Sequence, residues 1–214
     1  MSPRPYQLGQ RKEAVDQNRA RIIEAARALL SADEGVTRFT IDAVARQADV
    51  ARMTVYYQFG SRVGLLEALC DVLADEGDIE QLREVFMATA PDLMLRRLIE
   101  VFCAFWTSNR TVMRRLHGMA AIDPEFAQVM DARHARRRKA VTAVVARLSE
   151  GSRTVHAFSN EETIDLLVAL TSFATYESLA SSLRRSEQVA ELIDRVANSA
   201  FRRETGNPST RNRE

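Results

Sequence analysis

Residues 52–57 contain side chains whose chemistry suits contact with DNA. Arg52 can offer a fork of donors to the edge of a guanine or to a phosphate. Thr54 can hydrogen-bond a phosphate or touch a thymine methyl group, and Tyr56 and Tyr57 each combine a flat apolar ring with a polar tip. These side chains could read a DNA groove if a helix presented them on one outward face.

The apolar pattern places this segment in the second of two short helices. Ile41, Val44 and Ala45 recur at helical spacing after Thr40, which is a residue typical of helix N-caps. Residues 48–51 separate that helix from one predicted over 52–59, in which Val50, Val55 and Phe59 should point inward. Two helices of about seven residues joined by a short turn predict a helix-turn-helix, whose second helix can enter a major groove about 12 Å wide.

A longer pattern in register surrounds these helices, over residues 19–67. It includes Arg21–Ala26, Gly35, Phe39-Thr40, Ile41–Ala48, Asp49–Ala51, Thr54–Phe59, Ser61-Arg62 and Leu65-Leu66. This stretch resembles the TetR family of transcriptional regulators. The resemblance implies an all-α fold of about nine helices, with an N-terminal helix-turn-helix and a larger ligand-binding and dimerisation domain.

Three positions depart from the family pattern. Asp49 stands where the family usually has a glycine in the turn, and aspartate enters the left-handed region less easily than glycine does. Ala51 replaces the usual Ser or Thr cap of the recognition helix, a loss of about 1 kcal/mol of capping. Arg62 replaces a lysine and still suits a phosphate. The departures make the orientation of the recognition helix less well determined by the resemblance.

The resemblance also implies individual DNA contacts. Base contacts are expected from Arg52, Met53 and Tyr56. Phosphate contacts are expected from Thr40, Thr54, Tyr57, Gln58 and Arg62. Tyr56 could instead be a packing residue, and Gln58 could simply be solvated.

The helix start and stop signals divide the rest of the chain. Residues 1–16 and 205–214 are polar and are expected to be disordered tails. The DNA-binding domain is predicted over 17–62 and the ligand-binding and dimerisation domain over 63–204. The predicted helices cover about 18–33, 61–77, 91–109, 111–119, 124–150, 160–183 and 186–203 in addition to the two short ones, with a weaker signal within 78–90.

The middle helices are rich in aromatic and sulfur-containing side chains that suit a hydrophobic or aromatic effector. The candidate pocket residues are Phe102, Phe105, Trp106, Met113, His117, Met119, Phe126, Met130, Phe173 and Tyr176. Each of them could equally be plain core. Trp106 and His117 are preferred because each brings a polar group that a core would have to satisfy.

The last two predicted helices, residues about 160–203, should form a homodimer interface. One carries small residues that permit close helix approach, and the other carries an apolar stripe from Val189 to Phe201. A twofold dimer would place two recognition helices roughly 34–36 Å apart and implies a palindromic operator.

Charge and composition limit the other classes of protein. Residues 1–62 have ten Lys and Arg against seven Asp and Glu, whereas the whole chain has a net charge of +1. The basic run Arg133–Lys139 could be a second nucleic-acid contact, but a solvated or salt-bridged helix face is favoured. Cys70 and Cys103 are interpreted as buried thiols in a reducing compartment. We predict a cytoplasmic protein with no metal, cofactor or membrane segment, and the three histidines lie far apart in the sequence.

Three functional hypotheses remain open. The first is a ligand-released DNA-binding repressor, in which the ligand favours a spacing of the two heads that no longer matches successive major grooves. The second is a constitutive DNA-binding regulator with a solid core. The third is an all-helical small-molecule carrier or enzyme, for which the sequence shows no catalytic constellation.

Overall fold

A computed structural model describes residues 5–32, 39–77, 85, 91–151, 158–180 and 184–201. These residues form ten helices and no strand, which confirms the all-α class. The helices are α1 (Pro5–Ser31), α2 (Ile41–Gln47), α3 (Arg52–Phe59), α4 (Arg62–Glu76), α5 (Pro91–Ser108), α6 (Arg110–Ala120), α7 (Pro124–Gly151), α8 (Asn160–Leu170), α9 (Phe173–Leu179) and α10 (Ser186–Phe201).

The first helix begins earlier than the sequence pattern predicted. We expected residues 1–16 to be a disordered tail, but α1 is already helical at Pro5. Proline suits the first helical position because its missing N–H is not needed there, and the residues after it are mostly Gln, Arg, Lys, Glu and Ala, which favour helix. The expected tail at 205–214 and most of the weak helix signal within 78–90 lie outside the described residues.

Side-chain caps begin several helices at the predicted residues. Thr40 Oγ1 accepts a hydrogen bond from the Ala43 amide at 3.1 Å, and Ser61 Oγ accepts one from the Gly64 amide at 3.0 Å. Ser159 and Glu162 form a reciprocal capping box at the start of α8. Such caps satisfy amides that have no partner within the helix, so they determine where each helix starts.

The long helix predicted over 160–183 is two helices. Helix α8 ends at Leu170, and Ser172 then caps α9 by accepting a hydrogen bond from the Thr175 amide at 3.1 Å. Serine and threonine compete with the backbone for hydrogen bonds, so the Thr171-Ser172 pair favours a break that the apolar spacing did not predict.

The described residues fall into two compact units, one within Met1–Ile79 and Ser108–His134, the other within Glu80–Thr107 and Ala135–Glu214. We call them the head unit and the body unit. The fully buried residues of the head unit include Ile22, Leu30, Val44, Val55, Leu65 and Leu69. Those of the body unit include Leu98, Ile99, Val141, Val144, Leu167 and Val189. The head unit thus contains α4, α6 and the first part of α7 as well as the predicted DNA-binding domain.

Candidate nucleic-acid interface

The recognition helix α3 is anchored by one side and exposes the other. Val55 is fully buried, and Val50 and Phe59 are half-buried. On the outward side, Met53 is 71% exposed and Tyr57 is 89% exposed. Large apolar surface left in water is unusual unless something covers it, so these exposed fractions indicate a contact surface.

The turn before α3 contains a strained residue that α1 supports. Asp49 has a φ of 51°, which is a left-handed backbone conformation. The family pattern usually has a glycine at this position. The Arg21 guanidinium in α1 donates hydrogen bonds to the backbone carbonyls of Ala48 and Asp49. Because α1 therefore holds both ends of the strained peptide, the turn keeps its shape without a glycine. Sequence reasoning did not give Arg21 this role.

The two ends of α3 are held differently. At the N-terminus, Ala51 makes no side-chain cap, as the presence of an alanine at this position predicted. At the C-terminus, Gly60 has a φ of 73°, and a Cβ on Gly64 would overlap with the backbone oxygen of Phe59. Gly64 therefore allows the start of α4 to approach the end of α3 closely. A glycine inside a helical pattern was the sequence signal for this approach.

Arg52, the main predicted base contact, is held in a defined place on the surface. Its guanidinium pairs with Asp42 of α2 at 3.2 Å, lies 3.3 Å from the Tyr56 hydroxyl and sits over the Tyr56 ring at 5.5 Å. The hydrogen bond with Tyr56 and the charge of Asp42 raise the pKa of Arg52 above its ordinary value. The arginine is thus a permanent exposed cation that Tyr56 and Asp42 orient.

Three of the predicted phosphate contacts, Thr40, Thr54 and Tyr57, lie at the surface of the head unit. Thr40 accepts a hydrogen bond as the cap of α2, and its exposed hydroxyl can still donate its own proton. Thr54 and Tyr57 line a shallow surface depression together with Met53 and Tyr56. The structure brings all of these residues except Thr40 onto one helix.

The other two predicted phosphate contacts are engaged elsewhere in the head unit. The Gln58 amide nitrogen donates to the Val15 carbonyl at 3.4 Å, so its side chain faces α1. Arg62 pairs with Asp123 at 3.0 Å and lies over the Phe39 ring at 5.8 Å. Asp123 therefore competes with a phosphate for Arg62. Nothing in the local sequence indicated this partner.

The structure divides the ten candidate pocket residues between the two units. Met113, His117, Met119, Phe126 and Met130 belong to the head unit, and Phe102, Phe105, Trp106, Phe173 and Tyr176 belong to the body unit. A surface groove of 260 Å³ in the body unit contains none of them. It is lined by Arg96, Glu100, Ala104, Ser186, Glu187, Ala190 and Glu191.

The polar groups expected to mark a pocket have protein partners. The Trp106 indole N–H donates to the Thr171 carbonyl at 3.0 Å, and the Trp106 ring packs edge-on against Phe173 at 5.5 Å. The Tyr176 hydroxyl lies 2.8 Å from that of Thr107. His117 Nδ1 lies 2.8 Å from the Met113 carbonyl. These contacts are what a packed core also requires, so they agree with either interpretation.

The structure also places two of the histidines and the basic run Arg133–Lys139. His117 and His134, far apart in the sequence, lie with ring centroids 6.0 Å apart, although no third potential metal ligand joins them among the described residues. In the basic run, Arg133 and Arg138 are paired with carboxylates, as a salt-bridged face requires. Arg137 instead is partly buried, and its hydrogen-bond partners among the described residues are the neutral Val168 carbonyl and Thr171 hydroxyl. His156 lies outside the described residues.

Comparison with known proteins gives the class of this molecule. Residues 22–69, which include α2 and α3, match the family model described as bacterial regulatory proteins, tetR family. No curated protein sequence matches the chain significantly. Residues 22–69 therefore match the tetR family of bacterial regulators, which confirms the resemblance seen in the sequence.

Solved structures show that the likeness in fold extends over most of the chain. A TetR-like transcriptional regulator from Rhodococcus sp. RHA1 has 21% identity and a TM-score of 0.61, over 84% of this chain and 93% of that one. A TetR transcription regulator from Haloarcula marismortui has 17% identity and a TM-score of 0.64, over 87% and 99%. A candidate regulator from Saccharomonospora viridis, in complex with choline, has 14% identity and a TM-score of 0.64, over 87% and 98%.

The chain thus has the fold of TetR-family regulators, and that fold supports a DNA-binding regulator. The match to the family model coincides with the helices that expose Arg52, Met53 and Tyr57. None of the described helices is long and apolar enough to cross a membrane.

Proposed function

We propose that this protein is a transcriptional repressor, without enzymatic activity, that binds a palindromic operator in the cytoplasm as a homodimer. A small hydrophobic or aromatic effector releases it from DNA. The functional domains are then 17–62 for DNA binding and 63–204 for ligand binding and dimerisation. The observation that carries the proposal is the exposed face of α3, where Met53 and Tyr57 stand in solvent beside an oriented Arg52.

This face suits a major groove for chemical reasons. Arg52 offers a donor fork to guanine, and Met53 gives apolar contact to a neighbouring base. Tyr56 has its hydroxyl near Arg52, so it can contact a base while it orients the arginine. Thr40, Thr54 and Tyr57 would contact phosphates, and Arg62 and Gln58 would have to exchange their present partners to do so.

Dimerisation has support in the apolar surface of the C-terminal helices. Leu166 of α8 is 36% exposed and Val196 of α10 is 43% exposed. A second copy would cover them. We expect Val196→Asp to convert the dimer to a monomer in light scattering, whereas Leu93→Asp, a matched change at an exposed leucine of α5, should leave the dimer intact. If both variants were monomeric, or if both remained dimeric, this interface would be contradicted.

DNA binding is tested by selecting genomic fragments with the purified chain at two salt concentrations. The wild type should select a palindrome, and an Arg52→Ala, Tyr56→Ala variant should lose at least about tenfold in affinity for it. Lys139→Ala removes an exposed cation on α7 and serves as the control. Weak binding without sequence preference, equal in all three proteins, would show that α3 is not the recognition helix.

The effector has separate support and a separate test. A structural relative holds choline, so this fold can contain a small molecule. A constitutive regulator is the competing candidate, since the polar groups of Trp106 and Tyr176 are satisfied by protein partners. Release of the selected fragment by apolar compounds, and derepression of a reporter in cells, would support the ligand-released repressor. Binding that no compound in the screen weakens would favour the constitutive one.

A further inference from the structure

Arg137 of α7 is a partly buried cation whose hydrogen-bonding capacity is only partly used. Its Nη1 donates to the Val168 carbonyl at 2.9 Å and to the Thr171 hydroxyl at 3.4 Å. Its Nε is buried and has no acceptor among the described residues. The hydrogen bonds that it donates to described residues both come from Nη1. Nε–H and one N–H of Nη2 point the same way in a guanidinium, so the unused donors form one two-pronged edge.

The neighbouring arginines differ from Arg137 in having carboxylate partners, although Arg133 also has a buried Nε without an acceptor among the described residues. Arg133 pairs with Asp71 at 2.8 Å, and Arg138 pairs with Asp165 at 2.6 Å. In the part of the chain that the structure describes, Arg137 has no carboxylate partner. Burial alone lowers its pKa to about 10. A buried charge without a counter-charge is costly, and such a group normally has an anion beside it.

The residues that it contacts belong to the same body unit. Thr171 is almost fully buried and donates its hydroxyl proton to the Leu167 carbonyl, so it can only accept from Arg137. The Thr171 carbonyl receives the Trp106 indole N–H, and Phe173 packs on the indole. Thr171 therefore contacts both Arg137 and the aromatic cluster of Trp106 and Phe173. A molecule with an anionic end and an apolar body would satisfy both.

We propose that Arg137 binds the carboxylate of an apolar effector, with its Nε and Nη2 donating to the two carboxylate oxygens. The effector is then an organic carboxylate whose apolar part packs near Trp106 and Phe173. This inference rests on the ligand-responsive form of the proposed function and names the chemical class of that ligand.

Arg137 also has a structural task, and the test has to separate the two roles. Val168 lies in the last turn of α8, where carbonyls lack helical partners, so Arg137 caps that helix through Nη1. Capping alone would make Arg137 matter for stability but not for the choice between a charged and a neutral ligand. Selectivity between two ligands of equal length is therefore the informative measurement.

The experiment titrates the full chain with decanoate and with decan-1-ol, a neutral compound of the same chain length, and follows Trp106 fluorescence. Trp106 is the sole tryptophan of the sequence, so the signal comes from this cluster. The wild type should bind decanoate at least about tenfold more tightly than decanol, as expected for a charge-assisted pair. Arg137→Gln should lose this preference and keep its affinity for decanol.

Arg138→Gln is the matched control, because it removes an equal charge from the next position. Arg138 forms solvent-exposed salt bridges with Glu161 and Asp165. The Arg138→Gln variant should keep the preference of the wild type within about twofold. Arg137→Lys keeps the positive charge but not the two-pronged donor edge, so the preference for decanoate over decanol should fall to about threefold. That variant decides the matter if circular dichroism shows that Arg137→Gln does not fold.

The results that would overturn the inference are specific. Equal binding of decanoate and decanol by the wild type, no binding of either, or a full preference retained by Arg137→Gln or Arg137→Lys would each do so. Operator selection is measured separately on the same proteins. A protein that selects its operator but fails these titrations refutes the carboxylate site alone, whereas one that prefers decanoate through Arg137 but selects no DNA refutes the repressor.

Discussion

Arg21 donates a hydrogen bond to the backbone carbonyl of Asp49 at 3.2 Å, and Asp49 is the one described non-glycine residue with a positive φ, 51°. A residue of α1, outside the helix-turn-helix, thereby holds the peptide that precedes the recognition helix. The family pattern solves the same problem with glycine, which needs no support in this conformation. In this chain, Asp49 adopts the strained conformation and Arg21 of α1 stabilises it through hydrogen bonds to the backbone.

The strain at Asp49 gives a stability prediction. Asp49→Gly should raise the free energy of unfolding by about 0.5–1 kcal/mol, because glycine adopts the left-handed conformation without steric cost. Asp49→Ala also removes the charge but keeps a Cβ, so it should lower that free energy. Urea denaturation of the two variants measures the difference. If they shift stability in the same direction, charge rather than backbone conformation is the dominant effect.

Asp123 competes with DNA for Arg62, which gives a salt-dependence prediction. Asp123→Asn should free Arg62 for a phosphate while its amide oxygen still accepts the cap hydrogen bond from the Phe126 amide. The plot of log affinity against log salt concentration should then steepen by about one per subunit.

The control for that experiment is Glu76→Gln, which makes the same change in charge at an ion pair with Arg27 of 2.6 Å. We expect its salt dependence to match that of the wild type, since Arg27 is not a predicted DNA contact. Identical slopes for Asp123→Asn and Glu76→Gln would mean that Arg62 contacts no phosphate.

Gly64 and Gly118 give a matched pair of substitutions with opposite expected effects. Gly64→Ala should lower the free energy of unfolding by about 2 kcal/mol and weaken operator binding, because its Cβ would overlap with the Phe59 carbonyl at the end of α3. Gly118→Ala in α6 meets no atom within 4 Å and should raise that free energy by about 0.5–1 kcal/mol. Thermal melting and operator titration test both, and a harmless Gly64→Ala would show that α4 can move away from α3.

The two cysteines should be protected at neutral and mildly alkaline pH. Burial raises the pKa of Cys70 to about 11 and that of Cys103 to about 12. The thiolate is the reactive form, so at pH 8 iodoacetamide should label neither residue in the native protein and both in urea. Because the folded state disfavours the thiolates, stability should fall as the pH rises above the ordinary thiol value toward 11. Rapid labelling of the native protein would contradict this burial.

The two helices of the helix-turn-helix and α4 could be predicted closely because local signals define them. Thr40 and Ser61 cap α2 and α4 where their sequence positions predicted, and α3 spans the predicted 52–59. Caps and apolar spacing act between residues a few positions apart, so a single sequence contains the information. The break between α8 and α9 was missed because the apolar spacing continues through it, although Ser172 and Thr175 provide a local cap.

The sequence by itself determined the helix-turn-helix, the outward chemistry of Arg52, Met53 and Tyr57, and the family. Those features depend on residue type and short-range order. Only the tertiary structure decided which partners the charged groups have: Arg21 at the turn, Asp123 beside Arg62, and Arg137 at the end of α8. The positions in each of these pairs lie 28, 61 and 31 residues apart. Chain folding alone brings such residues within hydrogen-bonding distance, and no periodicity in the sequence records it.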